Sequence, residues 1–259
     1  MNPKDAIKNN FSRYAKLYDA YSGIQNYVGS KLASYISPRC FDAILDIGCG
    51  TGSYTKLLRN SFPGSTIRAL DISEKMIQQA KQKLKNEKIA FLLADAETAS
   101  LDENFDLITS NACFQWLTDM EITITKYENL LKENGVILFS TFGPLTLHEL
   151  ADSLKKLHQT NITISSCGFI KKDRITQILE KYFDNTFVQD EILRQTYPSL
   201  WQFLSTIKYT GTRGLGLNGQ NLKKSQMAEL EKIYKQNFKD IVATYQIFYC
   251  RAQKRRPNG

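Results

Sequence analysis

A glycine-rich turn between two carboxylates carries the strongest chemical signal in this chain. The turn follows an apolar run and the acid Asp46, and its glycines are Gly48, Gly50 and Gly52. Nineteen residues after the last of them, a second apolar run ends at Asp71. Such a turn lets backbone N–H groups approach a ligand, and an acid after the next strand accepts hydrogen bonds from ribose hydroxyls. The pattern therefore indicates a site for a cofactor that contains a nucleoside.

The spacing of the glycines selects among nucleoside cofactors. Dinucleotide sites carry G-x-G-x-x-G, and their helix start faces a pyrophosphate. Here the pattern is G-x-G-x-G after an acid, with no Lys or Arg inside the turn. The segment resembles the first motif of class I S-adenosylmethionine-dependent methyltransferases. This resemblance implies S-adenosylmethionine as cosubstrate, with Asp46 near its ammonium group, Asp71 on its ribose and the three glycines beside its amino-acid end.

Two later stretches extend this resemblance. A third apolar run ends at Asp95 and Ala96, where the family has an acid near the adenine amine. Residues 105–112 resemble the fourth strand and the loop that lies over the methionine part of the cofactor, which implies a contact from Asn111. The resemblance also implies that Ile72 and Met76, after the second strand, belong to the cofactor site.

The order of apolar runs and helical patterns predicts the fold. Strands are expected near 43–48, 66–71, 89–93, 105–110, 135–141, 187–193 and 241–251. Helices are expected near 53–61, 73–86, 120–132, 145–157 and 172–182. Alternation of this kind predicts an α/β protein with a parallel, doubly wound sheet. The resemblance adds a final antiparallel pair, which implies a mostly parallel, seven-stranded, Rossmann-like sheet in a single domain over 1–259.

Two segments fall outside that minimal fold and are expected to form helical lid segments over the sheet's carboxyl edge. One is an N-terminal cap over 1–38, in which Phe11, Tyr14, Tyr18 and Tyr21 recur at helical spacing. The other is an insertion at about 194–238. The aromatic stripe has two interpretations, ordinary helix packing or a lid that presents phenol groups to the substrate.

Composition bounds the class of protein. With 259 residues, 42% of them apolar, the chain suits one large domain with a sizeable core. It has no run of about 20 apolar residues and no apolar signal segment in its first ten, so we expect a cytoplasmic protein without a membrane span. Its five cysteines form no C-x-x-C pair, which favours reduced thiols. Its two histidines lie ten residues apart, and no metal site is predicted.

The net charge of +8 bears on the partner of this protein. Lysines cluster at 81–88, 155–156, 171–174 and 223–224, and the tail carries Lys254, Arg255 and Arg256. Such runs usually lie on solvated helix faces, although they also attract acidic partners. Charge alone does not choose between nucleic acid and an acidic carrier protein.

The loop after the fourth predicted strand narrows the choice of acceptor. Methyltransferases that act on the amino groups of nucleic-acid bases commonly have an Asn/Asp-Pro-Pro-aromatic motif there, and residues 110–117 lack it. This weighs against nucleic acid as a partner. The sequence S-N-A-C-F-Q-W-L resembles instead two carboxyl methyltransferase families. These are the malonyl-carrier-protein O-methyltransferases of biotin biosynthesis and the trans-aconitate methyltransferases.

Segments outside the sheet favour the first of these families. Residues 11–19 resemble its opening F-x-R-x-A-x-x-Y-D/E, followed by Gln25. Further short resemblances lie at 140–144, 208–211 and 243–246, so the likeness runs from about residue 7 to residue 250. It implies methylation of the free carboxylate of a malonyl thioester, carried by an acidic acyl-carrier protein or by coenzyme A. The ester would prime synthesis of the pimeloyl part of biotin. The glycine-rich stretch 211–219 departs from the family's pattern.

A carboxylate acceptor explains which catalytic residues the chain lacks. A malonyl carboxylate is ionised at pH 7, so no general base is needed, and catalysis reduces to alignment and exclusion of water. Something must still hold the carboxylate, and Arg or Tyr side chains suit this task. The candidates are Arg13, Tyr18, Lys208 and Arg213.

Two other functions stay open at this point. One is methylation of a small free acid such as trans-aconitate, and the other is non-catalytic binding of S-adenosylmethionine in support of a partner protein. The cap and the insertion make the second less suitable, because they look like parts of a substrate lid. We expect a monomer. Sequence alone leaves open whether the thioester is on the carrier protein or on coenzyme A.

Overall fold

A computed structural model describes residues 3–37, 39–157, 164–211 and 224–255. Within these ranges the strands are β1 (Ala43–Ile47), β2 (Thr66–Asp71), β3 (Ile89–Leu93), β4 (Phe105–Ser110), β5 (Leu131–Phe142), β6 (Phe183–Tyr197) and β7 (Ile241–Lys254). The helices are α1 (Pro3–Tyr14), α2 (Tyr18–Tyr21), α3 (Gly23–Ser34), α4 (Ser53–Ser61), α5 (Glu74–Lys83), α6 (Met120–Asn129), α7 (His148–Lys156), α8 (Lys172–Tyr182), α9 (Leu200–Tyr209) and α10 (Lys224–Phe238). Short 3₁₀ turns lie at Phe114–Trp116 and Ser165–Gly168. None of the described helices has the length and apolar character that a membrane crossing needs.

The described strands form one sheet of seven in the order β3-β2-β1-β4-β5-β7-β6. Strands β1 to β5 pair in parallel, whereas β7 runs antiparallel to both β5 and β6. This arrangement confirms the predicted α/β class with a doubly wound, mostly parallel, seven-stranded sheet.

The chain reverses its path across the sheet at β1. From β1 it proceeds outward through β2 to β3, and it then returns to β4 on the other side of β1. Because the connecting loops diverge at such a reversal, a crevice forms beyond the carboxyl ends of the strands, and ligands bind there in open α/β sheets. The glycine turn follows β1 and the S-N-A-C-F-Q-W-L loop follows β4, so both lie at this crevice.

Alternating strand residues build two apolar cores, one on each face of the sheet. On one face Ile44 and Leu107 pack with α3, α4, α7, α9 and α10. On the other face Leu45 and Ile108 pack with α6 and α8. Covering both faces explains why the parallel strands read as continuous apolar runs, since residues that point to either side are buried. The helices thereby hold the loops at the carboxyl edge in place.

The structure corrects the bounds of several predicted elements. Helix α5 ends at residue 83 and α6 at residue 129, each three residues earlier than predicted. Strand β5 begins at Leu131, which pairs with Phe105, and a register shift then accommodates Asn134 with its φ of 59°. Strand β6 is longer than expected because it pairs along nearly the whole of β7.

The N-terminal cap is a broken set of helices, which corrects the continuous helical spacing predicted from Phe11 to Tyr21. Helix α1 ends at Tyr14, and the Leu17 amide donates a hydrogen bond to the Tyr14 carbonyl before α2 begins. Tyr14 of α1 and Tyr21 of α2 both contact Tyr209 of α9, with ring centroids 5.4 and 4.6 Å apart. The cap and the predicted insertion therefore meet through aromatic side chains.

Candidate active site

The turn after β1 is held in a shape that glycine adopts readily. Gly48 and Gly50 have φ values of 69° and 54°, and the amides of Gly48 and Cys49 donate to the Leu70 carbonyl at 2.8 and 2.9 Å. A Cβ on Gly48 would overlap the Cys113 side chain, whereas a Cβ on Gly50 would meet open space. Both glycines line a cavity at the carboxyl edge of the sheet.

Gly52 has a different position from the other two glycines. It has a φ of 82° and precedes the first residue of α4. A Cβ there would press on Ala80 and Leu84, at 3.1 and 3.0 Å, so this side of the turn packs against α5 and its end. Gly52 is not among the residues that line the cavity. Its close approach to α5 brings the ends of β1 and β2 together.

Asp71, the last residue of β2, lies on the cavity wall. Its Oδ2 accepts a hydrogen bond from the Gly50 amide at 2.9 Å, and its Oδ1 accepts one from the Ser73 amide at 2.7 Å. Burial raises the pKa of Asp71 to about 6, although these two backbone hydrogen bonds lower it. The carboxylate is therefore fixed in orientation, and each oxygen keeps a lone pair for a further donor.

Asp46 lies one layer behind the glycine turn and is almost fully buried. Thr55 donates a hydrogen bond to its Oδ2 at 2.6 Å, while Oδ1 has no partner among the residues that the structure describes. Burial, together with the charge of Asp71, raises the pKa of Asp46 to about 7, and the Thr55 hydrogen bond opposes this rise. An orphaned buried carboxylate oxygen of this kind favours a cationic neighbour, directly or through water.

The segment after β3 forms the far end of the cavity. Asp95, Ala96 and Glu97 all line it, as do Ile72 and Met76 from the segment after β2. Asp95 Oδ1 accepts the Glu97 amide at 2.9 Å. These residues gather at one edge because parallel strands end there together.

The loop after β4 closes the cavity from the other side. Asn111 donates to the Gln25 carbonyl at 2.9 Å and accepts from the Ser140 hydroxyl at 2.9 Å, so its amide is held from two elements. Cys113 and Trp116 also line the cavity. Burial raises the pKa of the Cys113 thiol to about 12, so this thiol stays protonated and unreactive.

These residues enclose a cavity of about 100 Å³, here called the cofactor cavity. Eight of the ten predicted cofactor residues line it: Gly48, Gly50, Asp71, Ile72, Met76, Asp95, Ala96 and Asn111. The other two, Asp46 and Gly52, lie behind its wall. A neighbouring space of about 370 Å³ shares Tyr18, Gln25, Gly48, Gly50 and Asn111 with the cofactor cavity and extends past the start of α4.

A second cavity of about 320 Å³, here called the acceptor cavity, adjoins the first. Four residues line both: Gln25, Trp116, Phe142 and Thr210. Apart from these, its walls come from α7, α9, α10, β7 and the Ser165–Gly168 turn, and they are largely apolar. Lys208 is the cationic residue among its described lining residues. The two cavities thus meet at a junction that a group passing between them would cross.

The four predicted acceptor-holding residues have different positions. Tyr18 lines the cofactor cavity, and burial, together with the charges of Asp71 and Asp19, raises the pKa of its hydroxyl, which remains a neutral donor. Lys208 lines the acceptor cavity, with its Nζ 5.7 Å from the centre of the Tyr14 ring. Arg13 is exposed on α1 and lines neither cavity. Arg213 lies outside the described residues.

Sequence reasoning missed several residues of the site. Gln25 lines both cavities, and its buried Oε1 has no partner among the described residues. Lys4 lines the cofactor cavity from α1. Gln25 follows the opening motif that resembles the carboxyl methyltransferases, and this position could have indicated that it belongs to the site. Lys4 precedes that motif, and no sequence pattern indicated that it belongs to the site. The described residues contain no group of three or more His, Cys, Asp or Glu side chains suited to a metal ion.

Known methyltransferases share this fold. A family model described as a methyltransferase domain matches residues 42–182. The N-methyltransferase NodS of Bradyrhizobium japonicum, solved with S-adenosylhomocysteine, aligns with a TM-score of 0.54 and 14% identity over 96% of this chain and 99% of its own. A candidate methyltransferase from Bacillus halodurans aligns with a TM-score of 0.62 and 15% identity over 88% of this chain and 99% of its own. The fold and the family model define a class I S-adenosylmethionine-dependent methyltransferase.

Sequence relatives narrow the class to one family. Malonyl-acyl-carrier-protein O-methyltransferase 1 of Ilyobacter polytropus is 34% identical over 97% of this chain and 95% of its own. The malonyl-acyl-carrier-protein O-methyltransferase of a Paenibacillus species is 35% identical over 95% of this chain and 97% of its own. The chain belongs to the malonyl-acyl-carrier-protein O-methyltransferase family, which confirms the first of the two resemblances in its sequence.

Proposed function

We propose that this protein transfers a methyl group from S-adenosylmethionine to the free carboxylate of a malonyl thioester, and that the ester primes synthesis of the pimeloyl part of biotin. The observation that carries the proposal is the junction of the two cavities. The cofactor cavity holds the residues expected for S-adenosylmethionine, and it opens past Gln25 and Trp116 into an acceptor cavity. Relatives with about a third of their residues identical are named for this reaction.

The described residues suit S-adenosylmethionine. The open space over Gly50 leaves room beside the backbone for the amino-acid end of the cofactor. The fixed carboxylate of Asp71 offers two acceptor oxygens to the ribose hydroxyls, and the orphaned Oδ1 of Asp46 suits the ammonium group. Asp95 suits the adenine amine at the other end, and Ala96 and Met76 line the same cavity. Gly52 would act indirectly, by holding the turn against α5.

The chain needs few catalytic groups for this reaction. When bound, the sulfonium of S-adenosylmethionine supplies a methyl group that is already activated for transfer. A carboxylate acceptor has no proton to lose at neutral pH, so no residue needs to act as a base. The protein's contribution is to align the acceptor oxygen and to exclude water, and the apolar walls of the acceptor cavity suit the second task.

Two described residues are suited to hold the acceptor. The Tyr18 hydroxyl is a protonated donor on the cofactor side, and Lys208 brings a positive charge on the acceptor side. The side-chain amide of Gln25 lies between them and offers a donor and an acceptor together. We propose that these residues orient the malonyl carboxylate, with Arg213 a further candidate. For the exposed Arg13 we propose a role in bracing the cap.

The proposed partner is a malonyl-loaded acyl-carrier protein. Relatives are named for this acceptor, and a net charge of +8 favours an acidic protein over a neutral one. Malonyl-coenzyme A presents the same thioester and is the alternative acceptor of the methyl group. We propose that the protein acts as a monomer. We further propose a cytoplasmic location, with neither nucleic acid nor membrane as a partner.

The test is transfer of a labelled methyl group from S-adenosylmethionine to three acceptors: malonyl-acyl-carrier protein, malonyl-coenzyme A and trans-aconitate. We expect label in the malonyl thioesters, released as methanol by mild base, and little in trans-aconitate. Acetyl-acyl-carrier protein is the matched control because it lacks the free carboxylate. Preferential labelling of trans-aconitate would identify a small-acid methyltransferase. Binding of S-adenosylmethionine with no transfer to any acceptor would contradict the enzymatic proposal.

A further inference from the structure

Lys4 on α1 forms an ion pair with two acids at once. Its Nζ lies 2.5 Å from Asp95 Oδ2 and 2.5 Å from Glu97 Oε2. All three side chains are largely shielded from solvent, and all three residues line the cofactor cavity. Ion pairs of this kind contribute more than fully exposed ones, because solvent screens them less. The pair joins the N-terminal cap to the segment after β3.

Glu97 continues this connection to the loop after β4. Its carboxylate accepts hydrogen bonds from the backbone amides of Thr118 and Asp119, at 3.1 and 3.0 Å. These amides directly precede α6 and follow Trp116 and Leu117, which line the cofactor cavity. Lys4 therefore lies at the point where the cap, the segment after β3 and the loop after β4 meet.

Lys4 supplies the ammonium group that both carboxylates of this cluster contact. Burial disfavours the charged form of both Lys4 and Glu97, but their hydrogen bonds outweigh it. Those to Asp95 and Glu97 raise the pKa of Lys4, and those from Lys4 and the amides of Thr118 and Asp119 lower the pKa of Glu97. Without the ammonium group, two carboxylates would remain close together in a partly buried place. Like charges there repel, and the repulsion would turn Asp95 away from its position on the cavity wall.

We propose that Lys4 is a positioning residue for the cofactor: it orients Asp95 toward the adenine and closes the cap over that end of the cavity. The inference rests on the proposed function, in which Asp95 meets the adenine amine. Two further contacts bring the cap onto the same edge. Ser12 and Ser73 share a hydrogen bond of 2.8 Å, and Asp19 accepts one from Thr51 at 2.5 Å. Lys4 differs from these contacts because it reaches a residue that the cofactor itself uses.

The test measures S-adenosylhomocysteine binding by calorimetry and its release by stopped-flow fluorescence, so that catalysis is not required. We expect Lys4→Met to weaken binding about fivefold to tenfold, mainly through faster release; this is less than the loss of a direct charge-assisted hydrogen bond, because Lys4 acts through Asp95. Lys4→Arg should retain most of the affinity. Lys8→Met removes the same charge from an exposed position on the same helix and should bind like the wild type.

A double-mutant cycle separates positioning from simple helix packing. If Lys4 acts through Asp95, then Lys4→Met should have little further effect in an Asp95→Asn background. Independent, additive losses would overturn the inference, as would wild-type binding and release by Lys4→Met. Hydrogen exchange of α1 without ligand should be faster in Lys4→Met than in Lys8→Met. If the wild type bound no S-adenosylhomocysteine, the proposed function itself would fail, and this inference with it.

Discussion

The cofactor cavity and the acceptor cavity are built in contrasting ways. The first is made largely from backbone turns and acids that directly follow β1, β2, β3 and β4. The second is made largely from apolar side chains on α7, α9 and α10 and on either side of the Ser165–Gly168 turn. Parallel strands end together at one edge, so the geometry of the first follows from the sheet itself. The geometry of the second depends on how added helices pack, which allows one cofactor site to serve many acceptors.

The largest expected effect comes from the glycine turn. In Gly48→Ala, an L-residue at a φ of 69° would bring its Cβ within 2.6 Å of Cys113 Cβ. Strain and overpacking together should lower the free energy of unfolding by about 2–5 kcal/mol. Gly50→Ala is the matched control, because its Cβ would meet open space and only the backbone strain remains. Thermal unfolding of both variants checks this, and equal losses would show that the Cys113 contact yields at little cost.

The next effect tests the acid at the end of β2. Asp71→Ala removes the acceptor for the amides of Gly50 and Ser73, and with it the proposed acceptor for the ribose hydroxyls. Charge-assisted hydrogen bonds contribute about 1.5–3 kcal/mol each, so S-adenosylmethionine should bind at least about tenfold more weakly. Calorimetry would measure the loss. Unchanged affinity would contradict the role of Asp71.

Variants on the acceptor side should leave the cofactor in place. We expect Tyr18→Phe and Lys208→Met each to raise the Michaelis constant for malonyl-acyl-carrier protein by about threefold to tenfold, since each removes one donor to the carboxylate. Affinity for S-adenosylhomocysteine should change little. Lys16→Met, at an exposed position of the cap, controls for the loss of a positive charge.

Two less direct candidates, Arg13→Ala and Arg213→Ala, complete a series of four acceptor-side variants with Tyr18→Phe and Lys208→Met. Because Arg13 is exposed, we expect Arg13→Ala to change the Michaelis constant less than Lys208→Met does. If all four variants kept wild-type turnover and Michaelis constant, the carboxylate would have to be held from the sheet side, and the division between the two cavities would need revision.

The contrast also explains how much could be predicted from sequence. The succession of apolar runs along the chain predicts the sheet. The turn between Asp46 and Gly52 and the residues after the other strands predict most of the cofactor cavity, because each functional residue has a fixed place after a strand. The break between α1 and α2 was missed, since aromatic side chains at helical spacing continue across it. Lys4 was missed as a site residue because its position depends on how the cap packs against distant loops, which local sequence patterns do not encode. Gln25 follows the opening motif, but the motif alone does not show that its side chain lines both cavities.

A smaller effect concerns the stability of the unliganded protein. Burial raises the pKa of Asp46 to about 7 and that of Asp71 to about 6, both above their values in an unfolded chain, which are about 4. The stability that these protonated acids contribute is therefore fully present below about pH 4 and is lost as the pH rises through about 7. Asp46→Asn should flatten this decline by on the order of 1–2 kcal/mol between pH 5 and 8, relative to Asp42→Asn at an exposed position. Urea unfolding across this range provides the measurement, and an unchanged slope would argue against a buried, raised-pKa Asp46.

The smallest expected effect is that of pH on the chemical step itself. A carboxylate acceptor has lost its proton well below pH 6, and the hydroxyl of Tyr18 and the thiol of Cys113 titrate well above pH 8. Without ligand, Asp71 has a pKa of about 6 and Asp46 a pKa of about 7, but a saturating cationic cofactor favours the ionised form of both. Single-turnover rates at saturating cofactor and malonyl-acyl-carrier protein should therefore be nearly flat from pH 6 to 8. A log-linear rise would mean that the acceptor must first lose a proton. In that case the acceptor cavity would serve a hydroxyl, an amine or a carbon acid, and a catalytic base would have to be found among its walls.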